Sequence, residues 1–297
     1  MRHLPAMTAF CALMTAVCQQ PLAAGETPLE RGRYLVETVA FCGVCHNART
    51  LNEQMIPGME LAGGRVMPLN ELRIVLPDLP PGDIRAVVPN ITPDPETGIG
   101  RWTNAQIATA IREGRRPDGS MIGPPMPIAL YRGISDRDLT AIVTYLRTVP
   151  PKHNAVTQRS TYPFAIESYG PPIDHVPDPA DNPVARGAYL AGPLAHCMEC
   201  HTPVRSPVKR DWSRMGAGGM PFEGPWGIVV APDITPDKKH GIGAWTDDQI
   251  RDALTRGMTP DGRHLLPPMG ARAPIYSGIT ESDMRDLIAY LRSLPAQ

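Results

Sequence analysis

Large aromatic side chains are scarce in this 297-residue chain, where Phe, Trp and Tyr together make up 5%. With so little bulky apolar material the chain is poorly equipped to fill one large core, and its 35 prolines point to small domains with much irregular loop. An excess of charge is lacking too. A net charge of −1 removes any argument for nucleic acid or an anionic membrane as a partner. Beyond the N-terminal region no segment has the roughly 20 consecutive apolar residues that span a bilayer. Cysteine is absent except in a few places. Of six, Cys11 and Cys18 lie in the first twenty residues and the other four fall in two short motifs, so none is left for a disulfide or a further metal site.

Those motifs are Cys42-Gly43-Val44-Cys45-His46 and Cys197-Met198-Glu199-Cys200-His201. C-x-x-C-H is the attachment pattern of c-type haem: two thiols on one short turn form thioethers to the two vinyl groups, and the adjacent His reaches the iron. The competing readings of C-x-x-C are a zinc site and a thioredoxin-like redox pair. A redox pair has no use for a His directly after the second Cys, and zinc needs further Cys or His at ligand spacing. Two covalent haem c groups are therefore expected, and they supply apolar bulk that the side chains lack.

The N-terminus has the form of an export signal, with Arg2 and His3, an apolar run from Ala6 to Val17, and small residues at Ala23-Ala24. A cleavable signal over residues 1–24 predicts a periplasmic mature protein. The run is too short for a transmembrane anchor. Lipidation of Cys18 stays open as an alternative, although Thr15-Ala16-Val17 matches poorly the small residues expected before a lipidated Cys, and peripheral membrane association stays open with it.

Superimposing the motifs exposes an internal repeat. Thr27-Pro28-Leu29-Glu30-Arg31-Gly32-Arg33-Tyr34-Leu35 precedes the first motif at the distance at which Asn182-Pro183-Val184-Ala185-Arg186-Gly187-Ala188-Tyr189-Leu190 precedes the second. Each has a capping residue followed by Pro, the signature of a helix start, and Glu30 would complete a capping box with Thr27. Asn90-Ile91-Thr92-Pro93-Asp94 recurs as Asp233-Ile234-Thr235-Pro236-Asp237, and Gly98-Ile99-Gly100-Arg101-Trp102-Thr103 as Gly241-Ile242-Gly243-Ala244-Trp245-Thr246. Thr103 with Gln106, and Thr246 with Gln249, predict capping boxes for a middle helix ending near Gly114 or Gly257. Pro124-Pro125-Met126 recurs as Pro267-Pro268-Met269. Each copy closes with an amphipathic helix, capped by Ser135 or Thr280. Its apolar stripe, Leu139, Ile142, Val143 and Leu146 or Met284, Leu287, Ile288 and Leu291, is expected to pack on the N-terminal helix of its own copy. The first copy is twelve residues longer between its motif and Asn90, the excess falling around Leu69 to Ile84; this is either a partner-docking loop or a tolerated surface insertion. The layout expected is a signal peptide at 1–24, one domain at 25–150, a Pro-rich extended linker at 151–181 and a second domain at 182–297.

His46 and His201 are the expected axial ligands on one side of each iron. Met126 and Met269, at one repeat position, are the candidates for the other side, against the ordinary use of Met as core filler. Met121 competes in the first copy, but its counterpart is His264. His196 is expected beside the haem edge, since its counterpart is Phe41, and the unrepeated His153, His175 and His240 on the solvent side. Trp102 and Trp245 could bond a propionate or simply fill core. His/Met ligation leaves no open position and suits one-electron transfer.

The order of helix, C-x-x-C-H, Trp segment, Met loop and Tyr-Leu-Arg helix resembles class I cytochrome c, twice over. Asn-Ile-Thr-Pro-Asp followed by Gly-Ile-Gly and Trp-Thr is similar to the multihaem cytochrome subunits of membrane-bound alcohol and gluconate dehydrogenases, which typically carry three haem domains to the two here. The resemblance implies a mostly α fold of two tandem class I cytochrome c domains with long irregular loops around covalent haems. It implies haem attachment at Cys42, Cys45, Cys197 and Cys200, axial ligation by His46, Met126, His201 and Met269, and no catalytic residue. The function it implies is electron transfer from a partner dehydrogenase towards the respiratory chain, with a cytochrome or oxidase as acceptor. The alternative is a dihaem enzyme, a peroxidase or a thiosulfate-oxidising cytochrome, which needs a displaceable ligand on one iron.

Overall fold

The computed structural model describes residues 25–50 and 52–297; the export signal and Cys18 lie outside them. Helix α1 (Pro28–Tyr34) opens with the predicted capping box of Thr27 and Glu30, and α7 (Pro183–Tyr189) with Asn182 bonding the amide of Ala185. Both run on into a single wider turn, Leu35–Val39 and Leu190–Leu194, that sequence periodicity does not announce. The motifs follow as one-turn helices, α2 (Gly43–His46) and α8 (Cys197–Cys200). The middle helices α4 (Asn104–Glu113) and α9 (Asp247–Arg256) carry both capping boxes and stop at Gly114 and Gly257, whose φ of 69° and 62° are the left-handed values glycine accepts without a Cβ penalty. Helices α5 (Ile128–Tyr131) and α10 (Met269–Tyr276) come next, then α6 (Asp136–Thr148) and α11 (Glu281–Ser293), capped by Ser135 and Thr280 as the sequence predicts.

In each half the last helix crosses the first, α6 on α1 and α11 on α7. The crossing is close because both first helices present glycine there. A Cβ on Gly32 would stand 2.0 Å from the Ala141 carbonyl oxygen, and one on Gly187 would stand 1.9 Å from that of Asp286. The expected stripes are buried: Leu139, Ile142, Val143 and Leu146 on α6, and Met284, Leu287, Ile288 and Leu291 on α11. Four such side chains are worth roughly 6–12 kcal/mol of transfer free energy before chain entropy is subtracted.

Strands are few and short. Strand β1 (Val66–Pro68) pairs antiparallel with β2 (Arg85–Val87), β3 (Val204–Ser206) with β4 (Lys209–Arg210), and β5 (Pro221–Gly224) with β6 (Gly227–Val230). The β5–β6 hairpin turns tightly; at the corresponding place the first half inserts the residues between β1 and β2, with the short helix α3 (Leu72–Val75). That insertion is anchored at three points, although most of residues 70–83 stay exposed or half-exposed. Leu69, Leu72 and Ile84 are buried in one cluster with Met220 and Ala231 of the second half, so the extra residues tie the halves together.

The core is likewise continuous: Leu190 and Leu194 of the second half are buried among Leu35, Val39 and Tyr131 of the first. Contacts across the seam are reciprocal, as a two-fold arrangement of like units requires. Tyr34 donates to Asp283 (2.7 Å) and accepts from the Thr280 amide, while Tyr189 donates to Asp138 (3.0 Å) and accepts from the Ser135 amide. The Pro-rich segment 151–181 has no helix or strand, but it is bonded into the first half. Lys152 accepts from Asn90, Asn154 donates to Ala62, and Tyr162 and Tyr169 donate to Pro124 and Ile122.

Candidate haem site

Each motif is entered through one residue forced into the left-handed region, Phe41 (φ 38°) and His196 (φ 42°). Such a φ is strained for a bulky side chain and turns the chain sharply, so that the amide of Cys42 bonds back to Val36 and the motif closes its own helical turn. Cysteines three apart then share one face of that turn.

The histidines are placed alike. His46 and His201 are buried, and their Nδ1 atoms lie 3.0 Å and 2.8 Å from the carbonyl oxygens of Pro89 and Pro232. A carbonyl can only accept, so Nδ1 carries the proton and Nε2 keeps its lone pair for a metal. Burial lowers both pKa values and keeps the rings neutral, the form that ligates. Sequence reasoning missed these two carbonyls because backbone acceptors leave no residue signature; their repeat position, just before Asn90 and Asp233, was the available signal.

Burial pushes the thiols of Cys42 and Cys197 up to about 12 and raises those of Cys45 and Cys200, where nearby arginines oppose it without prevailing. A redox-active C-x-x-C needs the opposite shift. A zinc site fares no better, since among the described residues no three His, Cys, Asp or Glu side chains converge to hold a metal ion. The donor set fits a porphyrin: protonated thiols for thioethers, one neutral imidazole and an apolar wall.

In the second half that wall lines an open cleft. Cys197, Cys200 and His201 line it together with Met269, Trp245 and Leu287. In the first half Met126 and Trp102 pack half-buried against the same core cluster as Cys42. Met121, the competitor, is held in a backbone bridge with Arg115, just as its counterpart His264 is with Met258. The tryptophan carbonyls, not the rings, are tied down: Arg147 donates to Trp102 and Arg292 to Trp245. His153 and His175 lie outward as expected, facing Asp94 and Glu96, and Asp136. His240 is also largely exposed, yet it lines the second cleft.

His196 does more than border the site. It is half-buried and its ring is held away from water, which drives its pKa down to about 3, and it packs on its own counterpart Phe41, with centroids 4.7 Å apart. Tyr131 of the first half meets His196 at 5.9 Å and Tyr276 of the second meets Phe41 at 5.5 Å. The residues preceding the two motifs are therefore in contact, and the two motifs lie back to back across the seam.

Comparison with known proteins agrees with this chemistry. Residues 184–295 match the family model described as cytochrome c. Over 293 residues the chain is 31% identical to the fructose dehydrogenase cytochrome subunit of Gluconobacter japonicus, covering 93% of this chain and 54% of that protein, so it spans about half that relative's length. It is 34% identical over 220 residues to a protein of Cereibacter sphaeroides named as a dihaem cytochrome c-type, covering 71% of this chain and 72% of the relative. It is 27% identical over 293 residues to the gluconate 2-dehydrogenase cytochrome c subunit of Pantoea cypripedii, with 92% and 61% covered. No helix among the described residues is long and apolar enough to cross a membrane. With thiols and neutral imidazoles arranged for covalent haem and a relative matched over most of both lengths, the chain belongs to the cytochrome c family.

Proposed function

We propose that this protein is a periplasmic electron carrier with two haem c groups in tandem class I domains, at 25–150 and 182–297. It would take electrons from a partner dehydrogenase and pass them to a cytochrome or oxidase of the respiratory chain. The observation that carries the reading is the twofold occurrence of one histidine geometry, Nδ1 held by the Pro89 or Pro232 carbonyl beside a C-x-x-C turn. Relatives named as cytochrome subunits of fructose, alcohol and gluconate dehydrogenases support the choice of donor.

Bound haem supplies a one-electron couple at iron. The chain does the rest. Cys42, Cys45, Cys197 and Cys200 anchor the two groups, and His46 and His201 present fixed, neutral Nε2 atoms. Met126 and Met269 complete the coordination, leaving no position for a substrate. Buried, hydrogen-bonded rings need little rearrangement when charge changes. The leader at 1–24 delivers the chain to the compartment where such attachment occurs.

Pyridine haemochrome absorbance and intact mass of periplasmically matured protein should give two covalent haems per chain, and the reduced form should bind no carbon monoxide near neutral pH. Met126→Ala and Met269→Ala should each remove one Met-to-iron charge-transfer band. One haem per chain, or stoichiometric carbon monoxide binding with peroxide or thiosulfate turnover, would overturn the reading.

A further inference from the structure

One residue breaks the symmetry of the seam. Between the Met and the buried Tyr of this loop, Met126 to Tyr131 and Met269 to Tyr276, the second half has two additional residues, and Arg272 has no equivalent in the first. Its guanidinium carbon lies 5.2 Å from the centre of the Phe41 ring, across the seam from its own half. It also lines the cleft that contains Cys197, Cys200 and His201. Phe41 immediately precedes Cys42, so one cation stands beside both motifs. Among the described residues no carboxylate pairs with it, unlike Arg210, which is engaged by Glu199 at 2.5 Å. Other arginines at the motifs serve one side only: Arg65 donates to the Val44 carbonyl in the first and Arg210 to the Glu199 carbonyl in the second.

We propose that Arg272 is a charge shared by the two redox centres, seated on the Phe41 platform so that it raises the reduction potential of both. The inference rests on both motifs holding haem. Each iron gains one electron from the donor and later loses it to the acceptor. Arg272 exchanges nothing; its positive charge stabilises the added electron. Arg272 is half-buried, so solvent screens part of its effect. For a charge roughly 10 Å from a redox centre, at an effective dielectric of about 20–80, its loss would change the reduction equilibrium by about two- to seventeen-fold. At 59 mV per tenfold for one electron this is a fall of about 20–70 mV.

The test is potentiometric titration of the two-haem protein, with the haem count taken first. R272Q should lower both potentials and R272K, which keeps the charge, should leave both near the wild-type values. R272M, an apolar replacement of similar length, gives the same readout if the uncharged amide hinders maturation. Unchanged potentials in R272Q or R272M, a fall confined to one haem, or an equal fall in R272K would overturn the proposal. A wild-type protein carrying one haem would instead count against the two-haem reading.

Discussion

In the first half the Pro124–Met126 segment is clamped from outside the repeat. Tyr162 donates to the Pro124 carbonyl at 2.6 Å and Tyr169 to that of Ile122 at 2.9 Å, and the Tyr162 ring lies so near Gly123 that a Cβ there would stand 2.7 Å from it. In the second half the matching segment runs straight into α10, with Leu266 exposed and Met269 on the wall of an open cleft. The histidine side of the two halves shows no such contrast: entry residue, one-turn helix and carbonyl acceptor are duplicated. What each copy fixes for itself is the histidine. What holds the Pro-Pro-Met loop comes from sequence the repeat does not contain, and here it serves only one half.

The largest effect should appear where the halves are alike. Gly32→Ala and Gly187→Ala both drive a methyl group into a carbonyl at the helix crossing, and each should cost at least about 3 kcal/mol, enough to prevent accumulation of folded, haem-loaded protein. Gly192→Ala, with nothing within 4 Å of its Cβ, is the control and should stay near wild type. Thermal unfolding and haem yield measure all three. A tolerated G187A beside a lethal G32A would show that the crossings are not equivalent.

Next comes a carboxylate with two duties on one side and one on the other. Asp138, whose side chain is 0% exposed, takes Arg31 through both oxygens (3.0 and 2.8 Å) and also Tyr189 from the other half. In the second half these duties are split: Asp286 takes Arg186, and Asp283 takes Tyr34. Asp138→Asn should therefore cost about 3–5 kcal/mol, against about 1 kcal/mol for Asp286→Asn, whose arginine is more exposed. Burial alone would raise the Asp138 pKa, but the bonds from Arg31 and Tyr189 hold it below the usual carboxylate value. Its contribution is thus complete above the unfolded carboxylate range and is lost as pH falls through the lower folded value. Chemical denaturation from pH 7 downward should show that loss in wild type and a flatter profile in D138N; parallel profiles would remove Asp138 from the account.

Ile84→Ala probes what only the first half possesses. Ile84 is fully buried in the cluster that joins the insertion to Met220 and Ala231, so truncation should cost about 2–4 kcal/mol and increase cleavage of segment 69–84 by a protease under native conditions. Unchanged stability would return the insertion to the surface.

Much of the chain was legible because short-range chemistry wrote it. Capping boxes at Thr27, Thr103 and Thr246, the glycine stops, the stripes of α6 and α11 and both C-x-x-C-H turns each depend on residues a few positions apart. Three things were not legible. The wider turns after Tyr34 and Tyr189 have no periodicity of their own. The seam depends on pairs such as Phe41 with His196, far apart in sequence. The insertion and the Pro-rich segment bond through backbone carbonyls and scattered apolar residues that in sequence look like ordinary loop.

The smallest expected effect tests the clamp directly. Tyr162→Phe keeps the ring against Gly123 but removes the donor to the Pro124 carbonyl, a loss of about 0.5–1.5 kcal/mol. Little of that should appear in global unfolding, since the segment is an irregular loop whose local opening costs less than unfolding the core. It should fall on the population in which Met126 reaches its iron. Once M126A and M269A have assigned the two Met-to-iron bands, warming Y162F should bleach the Met126 band at a lower temperature than in wild type and leave the Met269 band where it was. In wild type the Met269 band should already be the first to go, because among the described residues no tyrosine outside the repeat holds its loop. If the two bands bleach together in wild type, or if Y162F moves the Met269 band, the linker is not what distinguishes the two halves.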